Sequence, residues 1–383
     1  MTDSVSSQHC TAELAGHLAL QQPSLVLEKC RMAMTGAAVH IKPFDLQEAI
    51  DHEYLALNDY ANCLQAEALP DDPPIPAEEH IARLRHIPPF RKAFAWAAWS
   101  PDKMRVVASG RIDFPNTSEN KHLVWFQLGV LPKYRCQGIG RRLLALIADV
   151  ARRENRRLMM TKTNEHVPAG EAFMRRLGAE KGLETHINQL ALAELNHSLV
   201  RQWLERAPER ASDFILGFWS GPYPEDQLEA VARLVEVMNQ APRDRLDVED
   251  DHITPEKLRQ VEELMLAIGT ERWTMYVREK TSGKLAGFTE VFWSPNRRHL
   301  VEQGDTGVFP QYRNLGLGRW LKAAMLEKII QERPAVELVR TENADSNAAM
   351  LRINHELGFK PYLSECWWQV ETKKVLAYLG KTT

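Results

Sequence analysis

The residues whose types and spacing most directly suggest chemistry are Arg313, Gly316 and Gly318, in the stretch Val308-Phe-Pro-Gln-Tyr-Arg313-Asn-Leu-Gly316-Leu-Gly318-Arg319. Thr306-Gly307-Val308 closes a strand-like segment before it, and behind it apolar residues at 320, 321, 324, 325 and 329 recur at helical spacing. The glycines therefore stand in a tight turn between a strand and a helix N-terminus. Glycine permits positive φ and lacks the Cβ that would hold a ligand off the backbone. The first amides of the helix have no intrahelical partner and sit at the positive end of its dipole. Such a turn is an anion site, suited to a phosphate or pyrophosphate. It lacks the Lys-Ser/Thr of a P-loop and the longer Gly-x-Gly-x-x-Gly of a dinucleotide turn. Taken alone, it weighs evenly against a helix start whose glycines serve packing.

A second copy breaks the tie. Val130-Leu-Pro-Lys-Tyr-Arg135-Cys136-Gln137-Gly138-Ile139-Gly140-Arg141 repeats the pattern, and Val130/Val308, Arg135/Arg313 and Gly140/Gly318 are each 178 residues apart. Leu177-Gly178 and Leu357-Gly358 match at 180, which places an insertion of about two residues near Pro334. A period this long is a duplicated domain, not a solenoid repeat.

Both halves resemble the GNAT (Gcn5-related) N-acetyltransferases, whose signature Arg/Gln-x-x-Gly-x-Gly/Ala joins the fourth strand to the third helix. The stretch from Arg340 to Phe359, with Asn347 and Leu357-Gly358-Phe359, is similar to the family's fifth strand and fourth helix. The resemblance covers about residues 39–195 and 213–371, and the tandem layout is similar to that of mycothiol synthase-type bacterial proteins. It implies an α+β chain of two tandem GNAT (acyl-CoA N-acyltransferase) domains, each a mixed, mostly antiparallel sheet flanked by helices. It also implies acetyl-CoA as cofactor, its pyrophosphate held at the turns. The residues concerned are Val308, Arg313, Asn314, Leu315, Gly316, Leu317, Gly318, Arg319 and Asn347 in the second half. In the first half they are Val130, Arg135, Cys136, Gln137, Gly138, Ile139, Gly140 and Arg141.

The resemblance further implies transfer of an acetyl group to a primary amine, on a small molecule or a peptide. Histone-type members carry a glutamate six residues before the strand-ending valine. That position is Glu302 in the second half and Val124 in the first, so the chemistry is expected mainly in the C-terminal domain. Asp305 and Glu290 are alternative bases, and the plain reading of Glu302 is a solvent-facing partner of Arg297 and Arg298. The family's leaving-group tyrosine is replaced by Asn354 and by Met174. Asn354 can donate a hydrogen bond to a thiolate but not a proton, and Met174 reads as core. The backbone N–H of Val308 or Val130 is the expected donor to the thioester carbonyl. The competing reading is a non-catalytic module that binds or senses acyl-CoA.

The elements that must position these groups follow from pattern and composition. At 383 residues the chain has room for two domains: a tail or short helix over 1–38, domains at 39–195 and 213–383, and a helical connector over 196–212. Helices are expected over 46–69, 78–87, 141–155, 170–177, 225–239 and 255–267. Strands are expected over 39–41, 93–99, 104–114, 122–130, 158–163, 214–218, 273–279 and 284–293. A net charge of −3 gives no polyanion-binding character, so no nucleic-acid partner is expected. Five scattered cysteines without Cys-x-x-Cys fit a reducing cytoplasm and argue against a disulfide framework or zinc site. No His-Glu-x-x-His occurs among thirteen histidines, so no metal is expected. The first residues lack a signal peptide's pattern, and no apolar run of 18 predicts a membrane span. The acidic loop 244–251 reads as solvated, or as a negative wall steering a cationic amine. A monomer or homodimer is expected.

Overall fold

A computed structural model describes residues 39–381; the expectation for residues 1–38 as a tail or short helix lies outside them. The first half runs β1 (His40–Phe44), α1 (Asp51–Ala68), α2 (Ala77–Arg85), β2 (Arg91–Trp99), β3 (Val106–Pro115), β4 (Leu123–Val130), α3 (Ile139–Arg153), β5 (Leu158–Asn164), α4 (Pro168–Arg176) and β6 (Glu180–Ala191). A connecting helix, α5 (His197–Arg210), leads into the second half. There follow β7 (Phe214–Ser220), α6 (Leu228–Val235), α7 (Pro255–Ala267), β8 (Glu271–Glu279), β9 (Leu285–Trp293), β10 (Leu300–Val308), α8 (Leu317–Glu332), β11 (Leu338–Ala344), α9 (Ala348–Leu357), β12 (Lys360–Glu371) and α10 (Thr372–Leu379).

Two helices are shorter than their patterns suggest. The Asp45 carboxylate accepts the amides of Gln47 and Glu48 at 2.9 Å each, which turns the chain before α1 can begin. The helix expected over 225–239 is instead α6 between two tighter turns, Glu225–Gln227 and Glu236–Gln240. Among the described residues, no helix is long and apolar enough to cross a membrane, and no group of His, Cys, Asp and Glu is placed to hold a metal ion.

All twelve strands form one sheet in the order β1-β2-β3-β4-β5-β12-β6-β11-β10-β9-β8-β7. Neither β6 nor β12 is anticipated by the sequence patterns above, and together they hold the molecule in one piece. Each is the last strand of its half, and each crosses into the other half's sheet. β12 pairs with β5, and β6 pairs with β11. The cores follow the strands. Trp368, Val370, Val375 and Leu376 pack with β3, β4 and α3, while Leu190, Leu192 and Leu195 pack with β10, β11 and α8. β6 and β12 pair antiparallel, with Thr185 opposite Glu365. These residues are 180 apart, the repeat offset, so a local two-fold axis passes between them. Beside it, Lys162 Nζ bonds Glu342 at 3.0 Å and Glu365 at 2.7 Å, and the Thr185 hydroxyl donates to Glu342 at 2.8 Å.

Reciprocal loops strap the halves together. From the first half, Asp72 reaches Arg340 at 2.6 Å. From the second, Asp247 pairs with Arg157 at 2.6 Å, the Glu249 amide donates to Asn120, and Leu246 and Val248 pack on Leu123, Leu158 and Met160. The acidic loop thus spends Asp247 and Glu249 on the first half.

Candidate functional site

In each half, the strand entering the glycine turn parts from its parallel neighbour. β10 and β11 pair only over Leu300–Glu302 and Leu338–Arg340; β4 and β5 pair only over Leu123–Trp125 and Leu158–Met160. Residues 303–308 therefore lack a ladder partner on the β11 side, and a cleft opens there. A cavity of about 790 Å³ fills it, lined by Thr306–Val308, the turn, the start of α8 and the N-terminus of α9.

The turn builds an anion cradle from backbone. Pro310–Tyr312 forms one tight helical turn, Asn314 takes φ 66° and Gly316 φ 85°, and α8 starts with no side-chain cap on its amides. Orphan N–H groups at a helix start attract anions. A Cβ built on Gly318 would meet only Ile353 Cδ1, at 3.9 Å, so this face of the backbone is open. Arg313 clamps the turn to its strand through Val308 O at 3.2 Å and reaches Gln240 at 2.8 Å. The cavity wall carries Arg210, Arg313, Arg319 and Arg352 and no carboxylate. Arg319 and Arg352 are held by Glu356 at 3.0 and 3.1 Å. Asn347 lines the same cavity and caps α9 by accepting the Met350 amide at 3.3 Å. Leu317 is buried core and Leu315 packs against it, so these two contribute main chain only.

The first half repeats this backbone. Cys136 takes φ 60°, Gly138 φ 76°, and α3 starts uncapped. Its side chains differ. Arg135 bonds Val130 O at 3.0 Å, but its guanidinium is gripped by Glu67 at 2.7 and 2.5 Å. Arg141 donates to Leu379 O at 3.0 Å, Gln137 to Lys133 O at 3.0 Å, and Ile139 is core.

Glu302 and Val308 are six residues apart and would share a face of a regular strand. A bulge intervenes: β10 shifts register against β9 between Gln303 and Thr306. Glu302 faces Phe292 while Val308 faces Gly287, an odd separation, so the two point to opposite sides of the sheet. Glu302 is exposed and pairs with Arg297 at 2.8 Å, as the plain reading had it. The first half has no such bulge in its β3–β4 ladder. Asn354 is 1 % exposed; its carbonyl accepts from Lys322 at 2.6 Å and its amide donates to Asn343 at 2.7 Å. That leaves it no face toward the cleft. Lys322, buried without a carboxylate, has its pKa pushed down to about 7 by desolvation.

The groups brought together at the bulge are Glu290 and Asp305. The Asp305 amide donates to the Glu290 carboxylate, and a Cβ on Gly304 would meet Glu290 Oε1 at 3.4 Å. Burial, then the neighbouring Asp305, raises the Glu290 pKa to about 7, and burial raises that of Asp305. Behind Glu290, the Tyr223 hydroxyl donates to Oε2 at 3.4 Å. The Arg272 guanidinium lies 3.6 Å from the centre of the Tyr223 ring and bonds Glu262 at 2.5 Å. No motif announces Tyr223, Arg272 or Glu262; their relation exists only once β8, β9 and α7 are packed.

The family model for the acetyltransferase (GNAT) family matches residues 58–179 and 237–359. A tandem GNAT protein from the clavulanic acid biosynthesis pathway superposes with a TM-score of 0.72 at 25% identity, over 88% of this chain and 99% of that one. A GCN5-related N-acetyltransferase from Sphaerobacter thermophilus gives 0.59 at 14% identity, over 87% and 96%. The GCN5-related glucosamine N-acetyltransferase region of a fungal multi-domain GH3 β-N-acetylglucosaminidase gives 0.61 at 12% identity, over 88% of this chain and 38% of that one; at these lower identities the likeness concerns fold alone. No curated protein matches.

Proposed function

The chain belongs to the acetyltransferase (GNAT) family, and from that premise we propose that it acetylates a primary amine with acetyl-CoA in its C-terminal half. The observation that carries this reading is the Glu290–Asp305 pair at the β10 bulge. The strand register puts Arg111 at the position of Glu290 in the first half, and the repeat offset puts Gln127 at that of Asp305; neither can act as a base.

The residues fit the cofactor. The uncapped amides of 316–319 and the four arginines would hold its phosphates. Acetyl-CoA supplies the thioester carbonyl that the amine attacks. The parted β10 offers main-chain donors between 303 and 308 with no partner on the β11 side, the kind of fixed dipole that stabilises developing oxyanion charge. Two carboxylates attract an ammonium, and Glu290, with its pKa about 7, is matched to taking its proton near neutrality. With Asn354 enclosed, the thiolate receives its proton from water. Thiol release across a panel of amines tests the reading. Release that needs an amine and collapses in Glu290→Gln supports it; CoA binding without turnover on any amine favours the sensing module instead.

A further inference from the structure

A second cavity, of about 660 Å³, lies in the first half between helices α1 and α2 and the sheet, reaching from β2 across to β12. None of the turn residues 135–141 lines it. Its volume is that of a small-molecule site. One wall is charged but unbalanced. Arg91 pairs with Asp113 at 3.3 Å, and Arg111 beside them has that same carboxylate as its nearest opposite charge. Two guanidinium groups thus share one carboxylate. Among the described residues Arg111 has no ion pair and no side-chain hydrogen bond, although it is half-buried and desolvation lowers its pKa. A cation in that position gains from an anion that brings its own acceptors. The other cation on the wall, Lys162, is already satisfied by Glu342 and Glu365. Facing Arg111 across the cavity, Leu57, Leu64 and Leu84 of α1 and α2 make an apolar surface.

We propose that this cavity is a binding site for a small organic carboxylate, its charge taken by Arg111 and its apolar body lying against Leu57, Leu64 and Leu84. The second half has no such guanidinium, since the strand register puts Glu290 at the position of Arg111. The site is separate from the C-terminal cleft and does not depend on the chemistry proposed there.

The test uses the full chain, with benzoate, phenylacetate and hexanoate each titrated beside its amide. Trp125 and Trp367 line the cavity, so intrinsic fluorescence reports occupancy and calorimetry gives the stoichiometry. At least one acid should bind saturably at one per chain and about tenfold or more tighter than its amide, the scale of one charge-assisted pair. Arg111→Gln should lose that advantage, while Gly318→Val, which fills the other cleft, should leave it intact. Absence of saturable binding by all three acids at millimolar concentration overturns the proposal. So does equal binding of acid and amide, retention in Arg111→Gln, or loss in Gly318→Val. Should Arg111→Gln fold poorly, the comparison of acid with amide on the unaltered chain decides by itself.

Discussion

The carboxyl of Glu290 is held near pKa 7 because burial and the adjacent Asp305 both disfavour its charge. Activity should therefore rise through about pH 7, with the apparent pKa belonging to the pair. Glu290→Gln keeps the shape but removes the proton acceptor, so kcat should fall by about a hundred-fold, with CoA affinity nearly unchanged. Glu302→Gln, exposed beside Arg297, should leave kcat within about twofold, as expected for an exposed ion pair. A reversed result, with Glu302 essential and Glu290 dispensable, would return the base to the position first read from spacing. The same shift bears on stability. The folded chain holds the Glu290 proton more tightly than the unfolded chain, whose carboxyl titrates near 4.5. This group's contribution is thus full below pH 4.5 and is lost as pH rises through about 7. Glu290→Gln should remove that slope, so its Tm should gain on the wild type between about pH 5 and pH 8. Thermal melts at matched ionic strength would show a constant difference if the raised pKa is wrong.

The glycine turns are the same element built twice with different surroundings. Both put two residues at positive φ before an uncapped helix. In the second half the cradle opens on a wall of arginines, whereas in the first Glu67 neutralises Arg135. Gly318 and Gly140 both lie inside their helices, so a valine at either meets no positive-φ penalty. A Cβ on Gly318 enters open cleft, and one on Gly140 meets Leu128 at 3.5 Å. Gly318→Val should weaken CoA binding by about tenfold or more, by occupying the face the phosphates approach. Gly140→Val should have the smaller effect, because a balanced arginine attracts phosphate less. Calorimetry showing the tight site lost in Gly140→Val and kept in Gly318→Val would exchange the roles of the halves.

At the scale of the whole chain, the exchanged strands make each half an incomplete sheet by itself. A fragment ending at residue 212 would lack Trp368, Val370, Val375 and Leu376, each at most 3 % exposed in the intact chain. Burying such a side chain contributes about 1.5–3 kcal/mol. Losing four removes a sum comparable with the usual 5–15 kcal/mol net stability of a domain. The fragments 39–212 and 213–381 should therefore be poorly folded alone and should recover cooperative unfolding when produced together. Two fragments that each melt cooperatively and do not associate would contradict the exchange of strands.

The sequence by itself determined what is local. The two turns, the helices behind them and the repeat offset are legible because glycine conformation and helical periodicity act within a few residues. The sequence also limited the bases to Glu302, Asp305 and Glu290, all close to the second turn. Choosing among them needed the tertiary structure. Counting six residues back assumes an unbroken strand, and one extra residue between Gln303 and Thr306 reverses which side chains share a face. The pairing of β6 with β11 and of β12 with β5 is likewise a property of the assembled sheet. A strand's sequence specifies which face is apolar; it does not specify which of two duplicated sheets it joins, because both present nearly the same edge. That choice was made by contacts distant in sequence, Lys162 with Glu342 and Glu365 at the local axis and Asp72 with Arg340 in the strap.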